Sequence, residues 1–110
     1  MMLTFVGLSG QTVYAQILDD AGQWWNVASA NFEPFAASQW QDCAIGMIET
    51  GATGVYNGSV PATVPNGDYS VVYRRQLGND PDPADLAIGA ETLRVGAGVA
   101  LSEATVGVAS

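Results

Sequence analysis

Apolar residues in this chain recur at every second position in short runs, punctuated by glycine, proline, asparagine and aspartate. A period of two marks strands with one buried face. Residues 54–76 show it best: Tyr69, Val71 and Tyr73 fall on one face, and Ser70, Val72 and Arg74 on the other. With the apolar run before it, this stretch predicts a hairpin around Pro65-Asn66-Gly67. Residues 11–18 alternate in the same way, with Val13, Ala15 and Ile17 opposite Tyr14, Gln16 and Leu18. Asp19-Asp-Ala-Gly22 predicts a tight turn, and residues 23–27 the returning strand. Trp24 and Trp25 must face opposite ways. One is expected in the core, the other at a second interface, at an edge or under a loop.

The rest of the chain is read the same way. Residues 1–6 predict a first strand, 31–35 an extended crossing segment, 36–40 a single helical turn, and 42–49 a strand with Ile45 and Met47 on one face. Pro81 and Pro83 make 77–85 a loop. Residues 86–95 predict the last core strand, with Gly89 at a bulge. The count is about seven short strands, the pattern of a single all-β, antiparallel, immunoglobulin-like sandwich over 1–95. The small-residue tail, 96–110, is expected as an edge strand, an arm pairing with a neighbouring copy, or a frayed end.

Composition narrows the function more than it names it. Three arginines and no lysine or histidine stand against eleven carboxylates, for a net charge of −8. Three cations cannot neutralise a run of phosphates, so neither nucleic acid nor an anionic membrane is an expected partner. The single Cys43 has no internal disulfide partner and is expected as a small buried hydrophobe. Residues 1–6 are too short for a signal peptide, and the chain is expected to be made and kept in a cytoplasm or assembled there into something larger.

Without histidine or lysine, triad, Cys–His and Schiff-base chemistries are excluded, as are zinc sites built on histidine or several cysteines. No catalytic residue and no cofactor is expected. Asp80, Asp82 and Asp85 form the densest carboxylate group, a weak candidate for Ca²⁺, though the spacing is not that of an EF-hand. Trp24 and Trp25 are candidate interface anchors. Arg74 and Arg75 point to opposite faces, so one of them is expected to pair with an acid on this chain or a neighbour. In the tail, Val99 and Leu101 are the apolar candidates for contact.

The segments Gln11-Thr-Val-Tyr-Ala-Gln-Ile-Leu-Asp-Asp-Ala-Gly-Gln-Trp-Trp-Asn26, Gly54-Val-Tyr-Asn-Gly-Ser-Val-Pro61 and Pro65-Asn-Gly-Asp-Tyr-Ser-Val-Val-Tyr73 together resemble small Ig-like sandwich proteins from the structural regions of tailed bacteriophages and prophages. The resemblance covers roughly residues 11–95. It implies a non-enzymatic virion component, located in the virion after assembly in a host cytoplasm: a head decoration or cement protein, or a neck, tail or baseplate accessory. Its implied partners are other virion proteins and copies of itself. The alternative is a sandwich module that binds carbohydrate or a cell surface, with a host glycan as ligand.

Overall fold

The computed structural model describes residues 1–96, which form two antiparallel sheets packed face to face. The strands are β1 (Met2–Val6), β2 (Val13–Leu18), β3 (Trp24–Asn26), β4 (Asn31–Glu33), β5 (Ile45–Gly46), β6 (Ile48–Glu49), β7 (Val55–Ser59), β8 (Gly67–Arg75) and β9 (Leu86–Val95). One sheet runs β1-β7-β6. The other runs β4-β3-β2-β8-β9, with β5 pairing on β2 beside β3. This strand order matches the immunoglobulin arrangement of a B-E-D sheet against a C-C′ and F-G sheet, with no strand in the A position among the described residues. Residues 97–110, with the tail expectations for Val99 and Leu101, lie outside the described residues.

The core is made by the inward positions that the alternation selects. Leu3 and Phe5 from β1, Val13, Ala15 and Ile17 from β2, Trp25 from β3, Tyr56 from β7, Val71 and Tyr73 from β8 and Leu93 from β9 are all buried together. The Phe5 ring sits 5.2 Å from that of Tyr73, and Trp25 meets Phe32 edge-on at 5.0 Å. Tyr69, at the start of β8, donates its hydroxyl to the Pro65 carbonyl at 2.6 Å. This is the tyrosine corner of immunoglobulin folds, set where the chain passes from one sheet to the other.

Several local expectations match. The Asp19–Gly22 turn closes on an Asp19 carboxylate that accepts the N–H groups of Ala21 and Gln23, with Gly22 at φ 79°. Tyr73 pairs with Gly89 and Arg74 with Ala87, leaving Ile88 as the extra residue of a bulge. Two expectations need correction. Residues 54–76 are not a hairpin: β7 pairs with β1 and β6, whereas β8 pairs with β2 and β9. The seven residues between them, two of them proline, form an arch between sheets; Val60 and Val64 fill it and are buried. Residues 42–49 are not one strand either. Their chain begins in a 3₁₀ turn (Gln41–Cys43), pairs with β2 through β5 and then crosses to β7 as β6, so Ile45 and Met47 both reach the core. The split of 42–49 into β5 and β6, together with β4 in the segment expected as an extended crossing, raises the strand count from about seven to nine among the described residues.

One junction locks the first sheet. The Gly7 N–H donates to the Gly54 carbonyl at 2.9 Å, and the Glu49 carboxylate accepts the N–H groups of Gly10 and Gly54. The Ser9 hydroxyl, followed by those two amides, holds the Glu49 carboxyl below the usual carboxylate range. Gly54 has φ +78°, and a Cβ there would lie 2.2 Å from the Gly7 carbonyl oxygen. Gly54→Ala is therefore expected to destabilise the chain by about 2 kcal/mol or more through backbone strain and loss of this junction. Urea unfolding checks it; a midpoint unchanged from the parent would contradict it.

Candidate functional site

The outer face of the larger sheet brings Arg74 and Asp85, both singled out in the sequence, together with polar groups of β2. On β2, Tyr14 and Gln16 point away from the core, yet they are only 2% and 0% exposed. Two segments cover them: residues 34–43, which include 3₁₀ turns at Ala37–Gln39 and Gln41–Cys43, and the proline-bearing loop 77–85. The Val27 N–H donates to the Asp42 carbonyl at 2.7 Å, fastening the first cover to the end of β3.

The Tyr14 hydroxyl lies at the centre. It donates to Asp85 Oδ2 at 2.7 Å and accepts the Trp40 indole N–H at 3.0 Å. Asp85, 4% exposed, also accepts the backbone N–H of Leu77 through Oδ1 and that of Asp82 through Oδ2. Arg74 crosses the same face. Its Nε donates to Gln16 Oε1 at 2.6 Å, its Nη1 to the Asp85 carbonyl at 3.2 Å, and its guanidinium carbon lies 4.9 Å from the centre of the Trp40 ring. Trp24 completes the outer cluster, 5.4 Å from Trp40 and 5.6 Å from Phe35.

The electrostatics follow from this enclosure. Burial first, then the bond to Asp85, pushes the Tyr14 phenol up to about 12. Burial alone would raise Asp85, but the Leu77 amide, the Tyr14 hydroxyl, the Asp82 amide and the Arg74 charge outweigh it and lower its carboxyl. Across the sheet, Tyr73 donates to Glu91, a partly buried carboxylate on the core side of β9 that burial pushes up. Cys43 is buried, and its thiol is raised first by burial and then by Asp42 and Glu33, so it stays protonated and unreactive.

These groups form a brace. The Tyr14 hydroxyl has used its donor and an acceptor, and both Asp85 oxygens are taken. The hollow beside them, lined by Trp24, Glu33, Phe35 and Trp40, measures roughly 10 Å³, about one water. Both side chains of the Tyr14–Asp85 pair are buried among the described residues.

The residues singled out in the sequence therefore separate. Trp25 is a correction: it is a core residue and not an interface anchor, because it occupies the inward position of β3. Trp24 is the one under a loop. Arg74 is spent within the chain on Gln16 and Asp85, whereas Arg75 is exposed at the end of β8. Asp80, Asp82 and Asp85 do not converge: Asp85 turns inward, Asp82 Oδ1 caps the Ala84 N–H, and no three His, Cys, Asp or Glu side chains among the described residues are placed to hold a metal ion. Sequence reasoning missed Trp40 and Gln16 as partners of Tyr14 and Arg74, since only the folded loops bring them together. A glutamine on a strand otherwise built of apolar residues was the available signal.

No protein-family model, curated protein or solved structure matches the chain.

The brace predicts a pH dependence with a defined sign. A phenol whose folded value lies above its unfolded value of 10.0 contributes stability that is complete below pH 10 and is lost as pH rises through about 12. Tyr14→Phe, which leaves the Trp40 indole N–H and Asp85 each short of a partner, is expected to cost about 2 kcal/mol at neutral pH. It should also flatten the decline of the urea midpoint between pH 10 and 12. A neutral-pH midpoint equal to that of the parent would overturn the assignment.

Proposed function

We propose that this chain is a non-enzymatic structural or accessory component of a virion, binding other virion proteins. The observation that carries the reading is the division of labour among its side chains. Polar groups suited to chemistry are consumed inside the fold, by Tyr14, Asp85, Arg74 and Gln16. Large apolar side chains stand outside it, with Leu8 72% and Ile48 77% exposed and Met2, Phe35, Leu77 and Leu86 about half exposed. Apolar anchors in a polar, acidic surround suit protein contact better than turnover. The sequence resemblance to phage-encoded sandwiches supports the same reading and narrows it to a decoration, neck, tail or baseplate role.

Mass spectrometry of particles purified from the encoding strain tests this directly. The chain is expected at a fixed copy number relative to the major capsid or tail protein, surviving density-gradient separation. Its absence from intact particles would overturn the proposal.

One observation favours a second reading, a carbohydrate-binding module. The exposed Phe35 ring lies against Trp24, with Glu33 and Gln39 beside them, and aromatic faces next to acceptors suit sugar stacking. Specific binding of the isolated chain on a glycan array, abolished by Phe35→Ala, would support it against the first.

A further inference from the structure

Two asparagines in the chain precede glycine, Asn57 and Asn66. Glycine has no Cβ to shield its amide nitrogen, so that nitrogen can reach the carboxamide of the asparagine before it. The fold treats the two dipeptides in opposite ways. Asn57 lies in the middle of β7, opposite Thr4 of β1 on one side and Ile48 of β6 on the other. Its Oδ1 accepts the Thr4 hydroxyl at 2.9 Å, and its Nδ2 donates to the Thr50 hydroxyl at 3.3 Å. Gly58 lies within the same sheet, opposite Leu3. Asn66 stands in the arch, one residue before β8, and is exposed. Among the described residues its side chain has no hydrogen-bond partner. Gly67 makes the terminal pair of the β8–β9 ladder, with Val95, where strands fray first.

The tyrosine corner explains why glycine occupies position 67. Tyr69 reaches back to the Pro65 carbonyl, and a Cβ on residue 67 would lie 3.2 Å from its hydroxyl. Asn66 is therefore enclosed between the two ends of that bond. Beside it is a hollow of roughly 270 Å³ whose lining includes Asp19, Asp20, Phe32 and Tyr69. Burial, then the charges of Asp19 and Asp20, raise the Tyr69 phenol, so both carboxylates act on the corner.

We propose that Asn66 is a site of spontaneous conversion to isoaspartate, and that conversion opens the tyrosine corner. The Gly67 nitrogen gives up its proton and attacks Cγ of Asn66. A bond from that nitrogen to Cγ forms, the bond from Cγ to Nδ2 breaks, and Nδ2 takes up the proton and leaves as ammonia. Water then opens the cyclic imide. Breaking the bond to Cγ leaves aspartate. Breaking the bond to the main-chain carbonyl leaves isoaspartate, with the chain routed through Cβ and Cγ. Either product adds a carboxylate beside Asp19 and Asp20, where like charges repel. Isoaspartate also inserts a methylene between Pro65 and Tyr69, so the corner bond no longer spans its two ends. The inference stands on the arch and its corner and does not depend on the virion reading.

Incubation of the full-length chain at mildly acid and mildly alkaline pH tests the site. Tandem mass spectrometry with electron-transfer fragmentation then locates the converted residue and separates isoaspartate from aspartate. Residue 66 is expected to convert, with isoaspartate among the products, and faster at the higher pH because the attacking nitrogen must lose its proton. Residue 57 is expected to convert at least about tenfold more slowly, since β7 must open first. In urea the two rates are expected to converge. No isoaspartate at residue 66, equal rates in the native chain, or a difference that persists in urea would each overturn the site. Urea unfolding tests the corner. The isoaspartate form, separated chromatographically, is expected to have a lower midpoint than fresh parent and than fresh Asn66→Asp, which carries the charge without the methylene. Asn66→Gln, whose longer side chain closes the ring far more slowly, is expected to keep its midpoint through the same incubation. An isoaspartate form that unfolds like fresh parent or like Asn66→Asp, or an Asn66→Gln chain that loses as much on incubation, would overturn the opening of the corner.

Discussion

The fold depends on a strand buried on both faces. β2 gives Val13, Ala15 and Ile17 to the core, and on its other face it carries a phenol and a carboxamide that are equally hidden. A buried polar group without a partner costs more than its bond contributes when made. The hydroxyl of Tyr14 and the carbonyl of Gln16 therefore require donors and acceptors at fixed places, supplied by Trp40, Asp85 and Arg74. Those residues lie on a short helical segment, a proline-bearing loop and the neighbouring strand. Satisfying β2 thus fixes two long connections that would otherwise run free over the surface. Among the described residues, Gln16 Nε2 has no hydrogen-bond partner in this arrangement.

Charge is handled by the same logic. Only three cations are available, and two are committed within the chain: Arg74 lies under the loops, and Arg94 meets Asp68 at 3.0 Å on the surface. The surface pair contributes little, since both side chains are well solvated. Arg74 matters more, because its guanidinium lies against an indole and bridges a side-chain and a main-chain oxygen at once. The acidity of the remainder is spread over turns, where carboxylates such as Asp19, Glu49 and Asp82 cap backbone amides.

What the sequence made legible was local. Alternation placed Tyr69, Val71 and Tyr73 on the core side of β8, proline excluded 77–85 from the sheets, and the bulge expected at Gly89 fell one residue earlier, at Ile88. All of these follow from one residue and its near neighbours. What it hid was pairing. The arch between β7 and β8 has the turn residues of a hairpin, and only packing of Val60 and Val64 between the sheets tells the two apart. The outer cluster was hidden for the same reason, since Tyr14 meets Asp85 across 71 positions of chain. Period-two patterning shows that a face is covered, without saying by what. The Trp24-Trp25 pair illustrates both limits: opposite faces were certain from strand geometry, but which indole was inward rested on the register of β3 with β4.

The placement of the arginines has a practical consequence for handling the molecule. With no lysine anywhere, trypsin has three cleavage points, and all of them lie within β8 and β9, paired to one another and, for β8, to β2 as well. A protease must draw a substrate out as an extended strand, so the Arg74–Arg75 bond, paired on both sides, is held back while the ladder is intact, whereas Arg94 stands near the end of the edge strand β9. Digestion after Arg74 therefore reports opening of the central ladder and not the trimming of loops. Its rate in the native state becomes a direct gauge of how often the sandwich comes apart.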